Sequence, residues 1–192
     1  KLFKKYGIKG AEIISADSRQ VYRGMDIGTG KVTKKEQKII KHHLIDIFSP
    51  KKQFNAHDFK KLGEKAIKEI SVKGKVPVIV GGTGFYIDIL LGQMAVSEVP
   101  ANTKLRKRFE KLSVDHLFKI IQKLDPLRAE SIDTHNKRRL IRALEIFLAT
   151  KKSSAKPIYA IPDNKYAILW LGLNPEKEKL SKNIKNRLEK RL

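Results

Sequence analysis

The chain has 192 residues, the length of one domain or of one domain carrying an insertion. With 41% hydrophobic and 32% charged residues it is expected to fold rather than stay disordered; no apolar run is long enough for a transmembrane helix, and the absence of cysteine excludes disulfides, thiolate catalysis and cysteine-ligated zinc. Its 42 Lys and Arg against 20 Asp and Glu leave +22, split as +8 on residues 1–60, +1 on 61–100, +8 on 101–152, +1 on 153–175 and +4 on 176–192; positive charge blocked in this way favours a polyanion, nucleic acid first and phosphorylated small molecules second.

Ala11–Ala16 is a short apolar, β-branched run and predicts a strand. Leu44–Phe48 is a weaker strand candidate, closed by Ser49-Pro50. Over Asn55–Lys73, Phe59, Leu62, Ala66, Ile67 and Ile70 recur at helical spacing, with Asn55 as N-cap and Gly74 as stop. Val76–Val80 predicts a buried strand, Gly81-Gly82-Thr83-Gly84 a turn, and Phe85–Leu91 the opening of a helix. Strand, helix, strand, glycine turn and helix in that order predict a parallel α/β sheet. From Thr103 to Thr150 the strand signals vanish, and Leu105–Leu112, Val114–Leu124 and Asn136–Ala149 carry helical periodicity. Ala167–Leu173 returns to a strand pattern and Pro175–Leu192 to a helical one. The expected organisation is an α/β core over 1–100 and 136–192 with a helical insertion over 101–135. Both ends fall inside patterns, so neighbouring elements are expected outside this sequence.

Four stretches could carry chemistry. Asp17, Ser18, Arg19 and Gln20 follow the first strand, at the sheet edge where open α/β folds bind ligands. A carboxylate there can take a proton, or it can simply cap the next turn. The turn at Gly81-Gly82-Thr83-Gly84 lets backbone approach an anion, or it is a tight β–α connection. Gly28-Thr29-Gly30-Lys31 fails as a Walker A loop, because Val32 replaces the Ser or Thr and Met25 stands where the leading glycine belongs. Arg138, Arg139 and Arg142 share one face of a helix whose other side carries Leu140 and Leu144; such a face suits phosphates, or is a solvated basic face. The histidines lack metal-ligand spacing.

ISADSRQVYRGMDIGTGK (14–31), HHLIDI (42–47), VIVGGTGFYIDILL (78–91) and NKRRLIRALEIF (136–147), in this order, resemble the bacterial-type tRNA dimethylallyltransferase family. The resemblance implies a P-loop-NTPase-like parallel sheet flanked by helices, with an all-helical insertion subdomain. It implies transfer of a dimethylallyl group from dimethylallyl diphosphate to the exocyclic amine of the adenosine 3′ of the anticodon in tRNA. Asp17 then matches the general base, Ser18, Arg19 and Gln20 the stretch holding the flipped base, and Thr83 the threonine beside the reaction channel. Arg106 and Arg138, Arg139, Leu140, Ile141 and Arg142 match tRNA-binding positions. Arg191, with Gly81, Gly82 and Thr83, matches the diphosphate site. Mg²⁺ is implied as cofactor, held by a P-loop Ser or Thr that would precede Lys1, so the segment alone is expected to be inactive. The partners are the tRNA anticodon stem-loop and dimethylallyl diphosphate, in a cytoplasmic, monomeric protein with no membrane contact. The alternatives are an adenylate isopentenyltransferase, which needs no basic block over 101–152; a small-molecule kinase, which needs neither the stretch from Asp17 to Tyr22 nor the arginine helix; and a non-catalytic RNA-binding protein, which leaves Asp17 and the glycine turn unexplained.

Overall fold

A computed structural model describes residues 5, 7–94, 97–154 and 166–190. The chain divides into two compact units, residues 1–93 with 162–192, and residues 94–161.

The first unit is built on a three-stranded parallel sheet in the order β2-β1-β3. The strands are β1 (Ala11–Ser15), β2 (His42–His43) and β3 (Val76–Val80). Between them run helices α1 (Lys34–Ile39) and α2 (Ala56–Val72), and α3 (Gly84–Leu90) follows β3. The β1–β3 register pairs Ala11 with Val76 and Ser15 with Val80, so both strands end at the same edge. Helix α2 starts where expected: the Asn55 side chain accepts from His57 and Asp58 backbone amides, and the Asp58 carboxylate returns to the Asn55 amide. Phe59, Ala66, Ile67 and Ile70 of α2 meet Ile14, Tyr86 and Leu90 in one apolar cluster. Within it Phe59 stacks on Tyr86 at 4.4 Å between ring centroids.

Helix α1 is not expected from periodicity, because it buries no side chain. Its signal lies in capping chemistry: Thr33 accepts from the Glu36 amide while Glu36 reaches back to the Thr33 amide.

Two expected strands differ. Of this stretch only His42 and His43 join β1; Leu44–Asp46 of the expected Leu44–Phe48 strand bend away, and Phe48 makes an isolated parallel bridge with Tyr22. Leu44 and Asp46 stand at φ 63° and 57°, a left-handed backbone that cannot continue a ladder. Ala167–Leu173 forms no strand among the described residues: no described strand lies beside it, and Leu169, Leu171 and Leu173 are 82%, 84% and 96% exposed. A helix, α8 (Lys177–Glu189), does follow, as the pattern predicts.

The second unit is helical: α4 (Thr103–Phe109), α5 (Val114–Leu124), α6 (Pro126–Ala129) and α7 (Lys137–Thr150). Leu117 and Ile121 of α5 pack on Leu140, Ile141, Ala143 and Leu144 of α7. That packing places residues 137–150 in the helical unit, whereas the sequence pattern assigns them to the α/β core.

Candidate active site at the carboxyl edge of the sheet

The site begins where β1 and β3 end together. The Ala16 amide donates to the Val80 carbonyl at 2.8 Å, and the Thr83 amide donates to the Ala16 carbonyl at 3.1 Å. This approach requires Gly81: a Cβ there would stand 2.9 Å from the Ala16 Cα and collide with the Ala16 carbonyl. Gly82 and Gly84 have open space around them. The glycine turn is thus in part a close approach of two parallel strand ends.

This approach brings the Asp17–Ser18 backbone beside Thr83. The Ser18 amide donates to Thr83 Oγ1 at 3.2 Å. Asp17 Oδ1 accepts the amides of Arg19, at 2.7 Å, and Gln20, at 3.1 Å. The carboxylate therefore caps the next turn, one of its two expected roles. Oδ2 carries no hydrogen bond among the described residues, and the side chain is partly open. A carboxylate held by one oxygen and open at the other can accept an N–H from a ligand. Gln20 Nε2 donates to the Thr29 and Gly30 carbonyls at 3.2 and 3.3 Å. The Gly28–Lys31 stretch is thus a loop tied to Gln20.

Among the expected arginines of the helical unit the structure separates two kinds. Arg138 and Arg139 are exposed. Arg106 and Arg142 instead converge on Glu145, which is 2% exposed. Arg106 donates through Nε and Nη2 at 3.0 and 2.8 Å, Arg142 through Nη1 at 2.5 Å, and the Asn102 amide adds a further bond at 2.5 Å. Burial alone would raise the Glu145 pKa, but Arg106, Asn102 and Arg142 together hold it at about 2. Leu140 and Ile141, at 0% and 3% exposure, lie in the core, so their side chains do not face a ligand.

Residues 20–192 match the family model described as IPP transferase. The chain belongs to the IPP transferase family. Two relatives are tRNA dimethylallyltransferases of Lachnoclostridium phytofermentans, 43% identical over 94% of this chain and 60% of the relative, and of Anoxybacillus flavithermus, 41% identical over 93% and 58%. The chain thus spans about three-fifths of the length of these relatives. The solved tRNA delta(2)-isopentenylpyrophosphate transferase of Staphylococcus epidermidis is 38% identical, with a TM-score of 0.55 over 98% of this chain and 62% of that one. A eukaryotic dimethylallyltransferase described as acting on tRNA is 28% identical, with a TM-score of 0.74 over 98% and 48%. The P-loop-like parallel sheet with a helical subdomain is the fold of this IPP transferase chain.

Arg191 of the IPP transferase chain lies outside the described residues. A nearby arginine that the sequence pattern does not single out does reach the site: Arg187 of α8 donates from Nη2 to the Gly30 carbonyl, the same oxygen that Gln20 holds. The helical pattern of α8 is legible, but nothing in the sequence indicates which of its cations reaches the Gly28–Lys31 loop. Among the described residues no three His, Asp or Glu side chains converge to hold a metal. These residues do not by themselves build a Mg²⁺ site. No described helix is long and apolar enough to cross a membrane.

Proposed function

We propose that this chain provides the base-binding and proton-accepting part of a tRNA dimethylallyltransferase. One observation carries the reading: in an IPP transferase family member, Asp17 follows β1 at the carboxyl edge of the sheet, is fixed through Oδ1 by the Arg19 and Gln20 amides, and has no hydrogen bond at Oδ2 among the described residues. The exocyclic amine of an adenine is a weak nucleophile and sits in a base stack. An unpaired anticodon loop lowers the cost of extruding it.

With the base extruded, Asp17 Oδ2 accepts a hydrogen bond from the amine. The amine nitrogen attacks the allylic C1 of dimethylallyl diphosphate. The N–C bond forms, the C–O bond breaks, and diphosphate leaves with the electron pair. The proton released from nitrogen passes to Asp17. A base placed in this way typically contributes about 10²–10⁴ in rate. Ser18, Arg19 and Gln20 line the same turn and orient the base. Thr83 holds the Ser18 amide and keeps the glycine turn against that stretch. Arg138 and Arg139 supply exposed positive charge for RNA phosphates. Gly81, Gly82 and Arg191 are proposed to face the diphosphate, and the protein to act as a cytoplasmic monomer.

The full-length protein, offered radiolabelled dimethylallyl diphosphate with unmodified tRNA, with AMP, or with no acceptor, tests this reading. Label in tRNA alone supports it. Label in AMP points to the adenylate isopentenyltransferase alternative, and RNA binding with no label to a non-catalytic RNA-binding protein.

A further inference from the structure

Lys31 is a buried cation that the transfer reaction as described does not use. It is 4% exposed, and its Nζ makes three hydrogen bonds: to the Tyr22 carbonyl at 2.6 Å, to Asp26 Oδ1 at 2.6 Å and to Asp46 Oδ1 at 2.5 Å. Asp46 is presented by the turn that replaces the expected strand. Its left-handed backbone, with that of Leu44, is a conformation L residues rarely adopt outside a constrained setting. From there Asp46 also gives its amide to the Gln20 carbonyl at 3.2 Å, and its own carbonyl accepts from Arg23 Nε at 3.1 Å. Gln20 in turn holds Thr29 and Gly30. The stretch from Asp17 to Tyr22 is therefore closed at its downstream end by one brace. The brace meets the Asp17 carboxylate directly, since the Gln20 amide donates to Asp17 Oδ1.

Neutralising two carboxylates does not account for this arrangement. The Asp26 side chain is 64% exposed and so solvated, and Asp46 Oδ2 already has Lys34 at 2.8 Å. Lys31 also holds the Tyr22 carbonyl, to which no other described side chain donates. An ammonium offers three rotatable donors to three acceptors on separate segments, which a shorter or planar cation cannot match in the same space.

We infer that Lys31 is a positioning residue, joining the Gly28–Lys31 loop and the Leu44–Asp46 turn to the Tyr22 backbone and so fixing where the Asp17 carboxylate points. The consequence for rate rests on the reading of Asp17 given above; the mechanical claim does not.

The test uses the full-length protein as wild type, Lys31→Met, Lys31→Arg and Lys34→Met, below the melting temperature of each. Hydrogen exchange is followed over residues 17–23, and kcat and KM for dimethylallyl diphosphate are measured with tRNA as acceptor. Lys31→Met is expected to speed exchange over 17–23 and to lower kcat by about 10²-fold with KM nearly unchanged. Lys31→Arg should restore part of both, and Lys34→Met, which removes only charge from Asp46, should change neither. Folded Lys31→Met with wild-type exchange and kcat overturns the inference, as does an equal loss in Lys34→Met. If Lys31→Met does not fold, Lys31→Arg decides: wild-type exchange and kcat in that variant overturn the inference, and a loss of kcat at an unchanged melting temperature supports it. If wild-type protein transfers nothing to tRNA, the proposed function fails, while the exchange data still decide on the brace.

Discussion

Arg106 grips Glu145 through both Nε and Nη2, at 3.0 and 2.8 Å, across the first and last long segments of the helical unit. Glu145 is buried, so the pair joins α4 to α7 from inside. Glu145→Ala removes the buried acceptor and leaves Arg106 and Arg142, whose side chains are 38% and 31% exposed, to water; it is expected to cost about 1–3 kcal/mol in chemical denaturation. Arg106→Ala leaves Glu145 with Arg142 and the Asn102 amide, and should cost less. A loss of RNA binding in Arg106→Ala therefore has to be measured alongside its stability.

Arg138 and Arg139 have no such internal duty. Replacing both with Ala is expected to leave the melting temperature close to wild type. It should weaken tRNA binding and reduce the slope of log K against log salt by about 0.7–0.9 for each RNA phosphate that is no longer neutralised. Titrations at several salt concentrations measure this, and an unchanged slope would make the pair a solvated basic face.

Gly81→Ala drives a methyl into the Ala16 backbone and is expected to destabilise the first unit by about 1–3 kcal/mol or to prevent its folding. Gly82→Ala, with open space around it, should melt near the wild-type temperature. Thermal melts of the two variants separate a packing requirement from a general need for glycine.

Acid should weaken both units. Glu12 on β1 lies against Lys75 at 2.8 Å and His43 at 2.7 Å, which hold its pKa at about 2, as the arginines and the Asn102 amide hold that of Glu145. Both folded values lie below the ordinary 4.5, so the stabilisation is complete above that pH and is lost as pH falls toward 2. Urea midpoints measured from pH 7 to pH 2.5 should fall most steeply below pH 4.5. Glu12→Gln should lower stability at pH 7 and flatten the acid limb.

Much of the fold is legible in the sequence because its signals are local. Asn55 and Gly74 bracket α2, and the run Val76–Val80 followed by four residues of glycine turn places β3 and its exit. Asp17 and Thr83 can be proposed as neighbours because both follow strands that end at one edge. What cannot be read there depends on partners distant in sequence. Leu44–Phe48 is apolar enough for a strand, yet Leu44 and Asp46 take a left-handed backbone from which Asp46 meets Lys31 and the Gln20 carbonyl. Arg106 and Arg142 look like surface cations until Glu145 is seen between them. Leu140 and Ile141 belong to a motif matched as a unit, but helical geometry turns them into the core.

In the proposed reaction Asp17 accepts the proton of the attacking amine. Single-turnover transfer from labelled dimethylallyl diphosphate to saturating tRNA, comparing full-length wild type with Asp17→Asn, tests it most directly. Asn keeps an oxygen for the Arg19 and Gln20 amides but cannot take the proton. The account predicts unaltered folding and tRNA affinity, with the transfer rate lower by about 10²–10⁴. A transfer rate near wild type would contradict it.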